Sequence, residues 1–307
     1  MDRLKFKYFL TYGCLAFTMV LPSTCFACEE NGISDEILIE KANKGDAVSQ
    51  NKLGLYFEKG NCGFEQDYYS AASWYQKAAI QGNAYAQFNL GFLYAYGRGV
   101  EQDYSQAVYW YQKAADQGNA LAQFNLGKLY LSGKGVEQDY AMMVYWYRQA
   151  AEQGNAMAQN GLGWAFASGS GVPQNEEAAA YWYEKAAEQG YSYAQLNLGS
   201  RFARGKGVTQ DYETAAYWYE KAAEQGNPYA QFHLGNAYRL GRGVEQDRET
   251  AIYWFEQASN QGNKDAQNAL RSLTAPKKKP LAIKRKPPRP QSKPARKIKA
   301  PMFTWNL

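Results

Sequence analysis

Residues 82–117 read GNAYAQFNLGFLYAYGRGVEQDYSQAVYWYQKAADQ, and the same pattern returns from Gly118, Gly154, Gly190 and Gly226. Trp74, Trp110, Trp146, Trp182, Trp218 and Trp254 are each 36 residues apart, as are Gly82, Gly118, Gly154, Gly190, Gly226 and Gly262. A fixed period of this length means a solenoid of stacked units, and it outranks any isolated motif. The first unit, from Gly45, is 37 residues long. Its extra residue falls in Gly60-Asn61-Cys62-Gly63, where later units have Gly97-Arg98-Gly99 or its like, and loops are where insertions belong.

Each unit reads as two helices. The first follows a Gly-Asn pair, as at Gly118-Asn119, and runs from Ala120 to about Leu131 with Ala122, Leu126, Leu129 and Tyr130 as its apolar stripe. It stops at Gly133-Lys134-Gly135. Asp139 caps the second, as Asp67, Asp103, Asp211 and Asp247 do elsewhere, with Asn175 as an equivalent substitute. Tyr145, Trp146, Ala150 and Ala151 are expected inward, and Gly154 closes the helix. Gly91, Gly127, Gly163, Gly199 and Gly235 lie inside first helices, where Gly costs about 1 kcal/mol against Ala. Five such costs at one position predict a close helix approach there.

Charge is distributed unevenly. The chain has 34 Lys+Arg against 29 Asp+Glu, yet the last 32 residues hold 11 of the basic side chains and no acid. An acidic body therefore carries a basic tail. One histidine and four cysteines leave little material for His-based catalysis or a Cys/His metal centre, so no catalytic residue, metal or cofactor is expected and the composition argues against an enzyme. Asp2, Arg3, Lys5 and Lys7 precede 14 apolar residues from Tyr8 to Leu21. That is the layout of a signal peptide, with residues 1–27 removed after Ala27 and the remainder exported to a periplasm or the exterior. An uncleaved anchor is the alternative. Cleavage would leave Cys28 and Cys62, which an oxidising compartment allows to pair, the alternative being two unrelated thiols.

The unit G-N-x-x-A-Q-x-N-L-G-x-x-Y-x-x-G-x-G-V-x-Q-D-x-x-x-A-x-x-W-Y-x-K-A-A-x-Q resembles the Sel-1-like repeat, a cousin of the tetratricopeptide repeat, over residues 34 to 274. The resemblance implies an all-α fold, a right-handed α/α superhelix of helix-turn-helix repeats, that binds proteins or peptides in adaptors and exported bacterial proteins. It divides the chain into a signal peptide at 1–27, an N-terminal cap at 28–44, six repeats at 45–261, a capping helix at 262–275 and a Lys/Arg/Pro-rich tail at 276–307. The cysteine-rich branch of the family pins its helices with disulfides at positions held here by Ala115 and Gln123 or their equivalents, so that device is absent.

The Gly-Lys-Gly loops superficially resemble phosphate cradles but recur in every unit as inter-helix turns. Arg98, Lys134, Lys206 and Arg242 form a ladder along that edge, and Glu101, Glu137 and Glu245 three residues on are expected to compensate it. His233 stands where other units have Asn89, Asn125 and Asn197, an ordinary substitution rather than a general base.

At about 100° per residue, one side of the first helices carries a separate stripe, which in the tetratricopeptide fold lines the concave groove. Its candidate partner-binding residues are Tyr85, Phe88, Phe92 and Tyr96 in one unit, Phe124 and Lys128 in the next, then Met157 and Trp164, then Tyr193 and Arg204. A stripe this aromatic suits a protein or peptide ligand, although part of it is expected to pack against neighbouring helices. The tail, with Lys277, Lys278, Lys279, Lys284, Arg285 and Lys286 and without interleaved aromatics, points to an anionic polymer or membrane surface rather than sequence-specific nucleic acid. Folding back onto the acidic body, or serving as a linker, are its alternatives.

Overall fold

The structure, a computed structural model, describes residues 35–274. Among them are fourteen helices and no strand: α1 (Asp35–Asn43), α2 (Ala47–Lys59), α3 (Tyr68–Ile80), α4 (Ala84–Tyr96), α5 (Tyr104–Asp116), α6 (Ala120–Ser132), α7 (Tyr140–Glu152), α8 (Ala156–Ser168), α9 (Glu176–Glu188), α10 (Ser192–Arg204), α11 (Tyr212–Glu224), α12 (Pro228–Leu240), α13 (Arg248–Asn260) and α14 (Lys264–Thr274). Each helix packs on the one before and the one after it, most extensively within a unit. The result is an all-α solenoid of repeats of about 36 residues.

Local chemistry sets each boundary. Asn83 caps α4 by accepting the Ala86 N–H at 2.9 Å, and Asp103 caps α5 by accepting from Ser105 and Gln106 at 2.8 and 3.1 Å. α10 starts instead at Tyr191, which supplies no side-chain cap bond. First helices end on a left-handed glycine, as at Gly97, while second helices end on a glutamine followed by one, as at Gln117-Gly118. The Gln of the following loop turns back on the helix it has left, Gln102 donating to the Ala95 carbonyl at 2.8 Å. The second loop glycine is a point of contact between units, since a Cβ on Gly99 would lie 2.0 Å from the Tyr68 carbonyl oxygen.

Burial runs along the stack. Ala71, Ala107, Met143, Ala179, Ala215 and Ala251 occupy one unit position and are all buried. The helical glycines meet the expected close approach, and the partner is an aromatic ring: a Cβ on Gly91 would lie 2.8 Å from Tyr111, and one on Gly127 2.6 Å from Tyr147. That ring belongs to the residue after the periodic Trp. In the second helix the expected inward set needs one correction, because Tyr145 is 39% exposed whereas Tyr147 is 4% exposed. Met143, Tyr147 and Ala150 share a face at helical spacing, and Tyr145, two residues from Tyr147, falls about 200° away. Trp146, Trp182, Trp218 and Trp254 are buried, while Trp74 and Trp110 are half-buried.

A glutamine ladder joins the units. Gln123 is buried, donates to the Ala115 carbonyl of the preceding unit at 3.2 Å, and accepts from Gln153 of its own unit at 2.8 Å. Gln50, Gln87, Gln159, Gln195 and Gln231 repeat both bonds. A hydrogen bond thus links the very pair, Ala115 and Gln123, that bears cysteines in the disulfide-pinned branch. At the ends, Ala42 of α1 receives the bond from Gln50, and Asn263 caps α14 by accepting the Ala266 N–H.

Candidate protein-interaction face

The first helices α4, α6, α8 and α10 place the predicted stripe. Tyr85, Tyr96, Met157, Trp164 and Tyr193 are exposed, Tyr85 to 68%, and Lys128 and Arg204 are exposed beside them. Phe88, Phe92 and Phe124 are half-buried. Phe88 and Phe124 rest on the core rings Tyr111 and Tyr147, with centroids 5.8 and 5.4 Å apart, so they brace the stripe from beneath. Phe92 and Tyr96 touch at 4.4 Å, and the Arg98 guanidinium lies within 5.9 Å of both. Trp164 lies 6.3 Å from Tyr140.

The edge ladder differs from expectation. Among the described residues, Glu101, Glu137 and Glu245 form no ion pair with Arg98, Lys134 or Arg242. Those three cations instead lie over Tyr68, Tyr104 and Tyr212 of the preceding unit, at 5.6, 5.0 and 5.4 Å. The inter-helix turn aims the cation back along the stack, away from the acid that follows it in sequence. Lys206 is different again, for Glu176 of the preceding unit binds it at 3.4 Å and also pairs with Arg201.

Between neighbouring units the same positions outline a cleft. Between the second and third units it measures about 310 Å³ and is lined by Tyr96, Tyr104, Tyr111, Asn125, Lys128 and Lys134, with Ala95, Leu129, Leu131 and Ser132 completing its wall. Its counterpart between the fifth and sixth units measures about 100 Å³ and includes Tyr219, His233 and Arg242. His233 stacks on Tyr219 at 5.0 Å, and burial, then the nearby Arg204, hold its pKa below the usual histidine value, against a smaller opposing pull from Asp265. The imidazole is therefore neutral at pH 7, a packing residue as expected.

Burial, and secondarily Tyr96, pushes the Tyr111 hydroxyl well above the ordinary tyrosine range, so it stays a protonated donor. The sequence reading did not single out Tyr111. Among the described residues no cluster of three His, Cys, Asp or Glu side chains is placed to hold a metal ion, and no helix is long and apolar enough to cross a membrane. Cys62, with φ 53°, is half of a disulfide. Cys28, the signal segment 1–27 and the tail lysines and arginines from Lys277 to Arg285 and Lys286 lie outside the described residues.

The sequence profile of the Sel1 repeat matches six consecutive segments, residues 47–83, 84–119, 120–155, 156–191, 192–227 and 228–263. The chain belongs to the Sel1 repeat family. An Escherichia coli protein with this repeat fold, a protective antigen present in uropathogenic strains, is similar at a TM-score of 0.74 and 41% identity, over 78% of this chain and 51% of its own. A Sel1 repeat protein from Oxalobacter formigenes matches at 0.65 and 36% identity, over 74% and 88% of the two chains. A sel1-like repeat-containing protein of Acanthamoeba polyphaga mimivirus is 41% identical over 58 residues, 19% of this chain and 11% of that protein. This Sel1 repeat chain thus spans about half the length of the Escherichia coli antigen. Sel1 repeat solenoids are commonly protein-interaction scaffolds and typically not catalysts.

Proposed function

We propose that this protein is an exported, non-enzymatic scaffold that binds a protein or peptide on the aromatic face of its first helices. The observation that carries the reading is the succession of exposed large side chains on four consecutive first helices, Tyr85 and Tyr96 on α4, Lys128 on α6, Met157 and Trp164 on α8 and Tyr193 on α10. Exposed aromatics repeated in register give a peptide a series of anchors at little ordering cost. An envelope or host-interaction role fits the similarity to an antigen of uropathogenic strains. Replacing Phe92, Tyr96, Lys128 and Trp164 together by polar residues tests this: helicity and thermal midpoint should persist while captured ligand is lost. A collapse in stability would place the stripe in the core and end the proposal. Export is tested by intact mass, with Cys28 expected as the first residue and a species retaining residues 1–27 arguing for an anchor. The basic tail supports a second reading, binding of an anionic polymer or membrane surface. A truncation ending at Ala275 should then lose heparin binding, and equal binding by both forms would dismiss it.

A further inference from the structure

Six units built on one plan allow each position to be compared with its counterparts, and the tyrosine after the periodic Trp is where they diverge. In the first unit Tyr75 donates its hydroxyl to the Glu58 carboxylate at 2.6 Å. Tyr183 is hydrogen-bonded to Arg201 and Tyr219 to Ser200. Tyr111 has no partner: only 1% exposed, it carries the one tyrosine hydroxyl among the described residues that is both buried and unpaired. The reason is that none of the groups serving the other tyrosines is present, since the counterparts of Glu58, Ser200 and Arg201 around Tyr111 are Ala95, Phe92 and Leu129. Glu58 stands at the fourteenth position of its unit, and the fourteenth position of the next unit is Ala95. Where the first unit provides a carboxylate the second provides a methyl group, and the 310 Å³ cleft opens there.

The rest of the cleft is chosen for the same charge. Lys128 and Lys134 line it, and neither has a carboxylate partner among the described residues. Lys134 rests on Tyr104, its ammonium 3.4 Å from the phenol oxygen, and Lys128 lies 5.6 Å from the Phe124 ring. No acidic side chain is among the lining residues. A buried donor left unpaired is costly, and two ammonium groups at the rim add attraction for an anion.

We infer that the cleft between the second and third units takes the carboxylate of an acidic side chain from a bound peptide, the Tyr111 hydroxyl donating to it as Tyr75 donates to Glu58, with Lys128 and Lys134 as its counter-charges. The inference rests on the proposed peptide face and gives that face a chemical preference. Tyr96, exposed at the rim, and the long Lys128 side chain are the groups that swing aside to admit the ligand to the sealed hydroxyl.

Two substitutions isolate the cleft without touching the basic tail, which attracts acidic peptides on its own. Tyr111→Phe removes the donor, and Phe255 already occupies the equivalent position of the last unit. Ala95→Glu supplies the carboxylate internally, as Glu58 does. The probe is a random hexapeptide library selected on the full chain and on each variant. Peptides recovered on the unaltered protein should carry Asp or Glu at a fixed spacing from an aromatic residue, and Glu→Gln in such a peptide should weaken binding about tenfold. Both variants should lose that preference while their melting temperatures stay equal or rise. Enriched peptides without the acid, or an acid preference that survives both variants, overturn the inference and leave the peptide face standing; the hydroxyl then holds a buried water only. A library showing no enrichment on any form overturns the peptide face itself, and the inference with it.

Discussion

Gly127→Ala puts the packing logic at risk in one atom. A methyl group there would lie 2.6 and 2.7 Å from Cδ1 and Cε1 of Tyr147 and 3.3 Å from the Met143 carbonyl oxygen. Carbon atoms pack comfortably at about 3.5 Å, so the ring must recede by roughly 1 Å. It has nowhere to go. Its opposite edge is pressed against Gly161, where a Cβ would stand 2.5 Å from Cε2, so one ring is held between two glycines of successive units. Overpacking of this kind costs about 1–3 kcal/mol, and the upper half of that range applies because both sides are closed. Alanine returns about 1 kcal/mol of helix propensity, which leaves a net destabilisation of about 1–2 kcal/mol. Gly91→Ala is the internal control. Its methyl meets Tyr111 at 2.8 Å, but that ring borders the 310 Å³ cleft and can move, so propensity and strain should nearly cancel. Urea denaturation of the full chain followed by helical circular dichroism reads both midpoints. If Gly127→Ala is as stable as the unaltered protein, or Gly91→Ala is equally damaging, the ring does not dictate these glycines.

Trp146→Ala should cost about 3–5 kcal/mol, as core aromatics do, and the half-buried Trp110→Ala distinctly less; equal midpoint shifts in denaturant would contradict the burial difference. Gln123→Leu removes one of the bonds to the Ala115 carbonyl, which keeps the Gly118 N–H at 2.9 Å, while the exposed Gln153 turns to water, so a loss of about 0.5–1.5 kcal/mol is expected in the same assay. His233 has a folded pKa below its unfolded 6.5, so its contribution is fully present above that pH and is lost as pH falls through 6.5 toward the folded value. The capping Asp67 and Asp247 are held below 3.8, first by their bonds to Ser70 and Thr250, so theirs is lost only in stronger acid. His233→Asn should therefore flatten the stability profile just below pH 6.5 and leave the acid limb, and an unchanged profile would remove the histidine from the account.

Period, helix pairing, caps and the glycine approach were all legible in the sequence because each repeats in register and has a local cause. The facing of the second helix was legible only in part. Tyr145 and Tyr147 flank the same Trp, and choosing between them requires fitting a whole helix, with Met143 and Ala150, to one buried arc. The glutamine ladder carried a signal that was present but unread, a Gln at the sixth and the last position of every unit, because a polar residue beside an apolar stripe looks solvent-facing until both of its partners are known. The edge ladder misled for a geometric reason. Glu137 follows Lys134 by only three positions, but the intervening turn sends the cation to Tyr104 thirty residues earlier.

What regularity specifies and what it conceals follow from the same comparison. Features common to all six units stabilise the stack, since a device that recurs wherever helices meet serves the meeting of helices. A ligand needs something the lattice does not supply everywhere, so its site should lie where a unit departs from the plan at a position that other units satisfy internally. Gly161 in place of Asn is such a departure, and Tyr147 fills the space. Glu176 in place of the usual Tyr is another, and it is spent on Arg201 and Lys206. At Tyr111 the departure is the loss of every partner that serves Tyr75, Tyr183 and Tyr219, with Ala95, Phe92 and Leu129 in their places, and nothing fills it: a buried donor is left unpaired beside two lysines without an acid. An energetic cost at one unit that its neighbours avoid is the mark expected of a position kept for binding rather than for stability. By that criterion the second and third units, rather than the stripe as a whole, are where specificity should be concentrated.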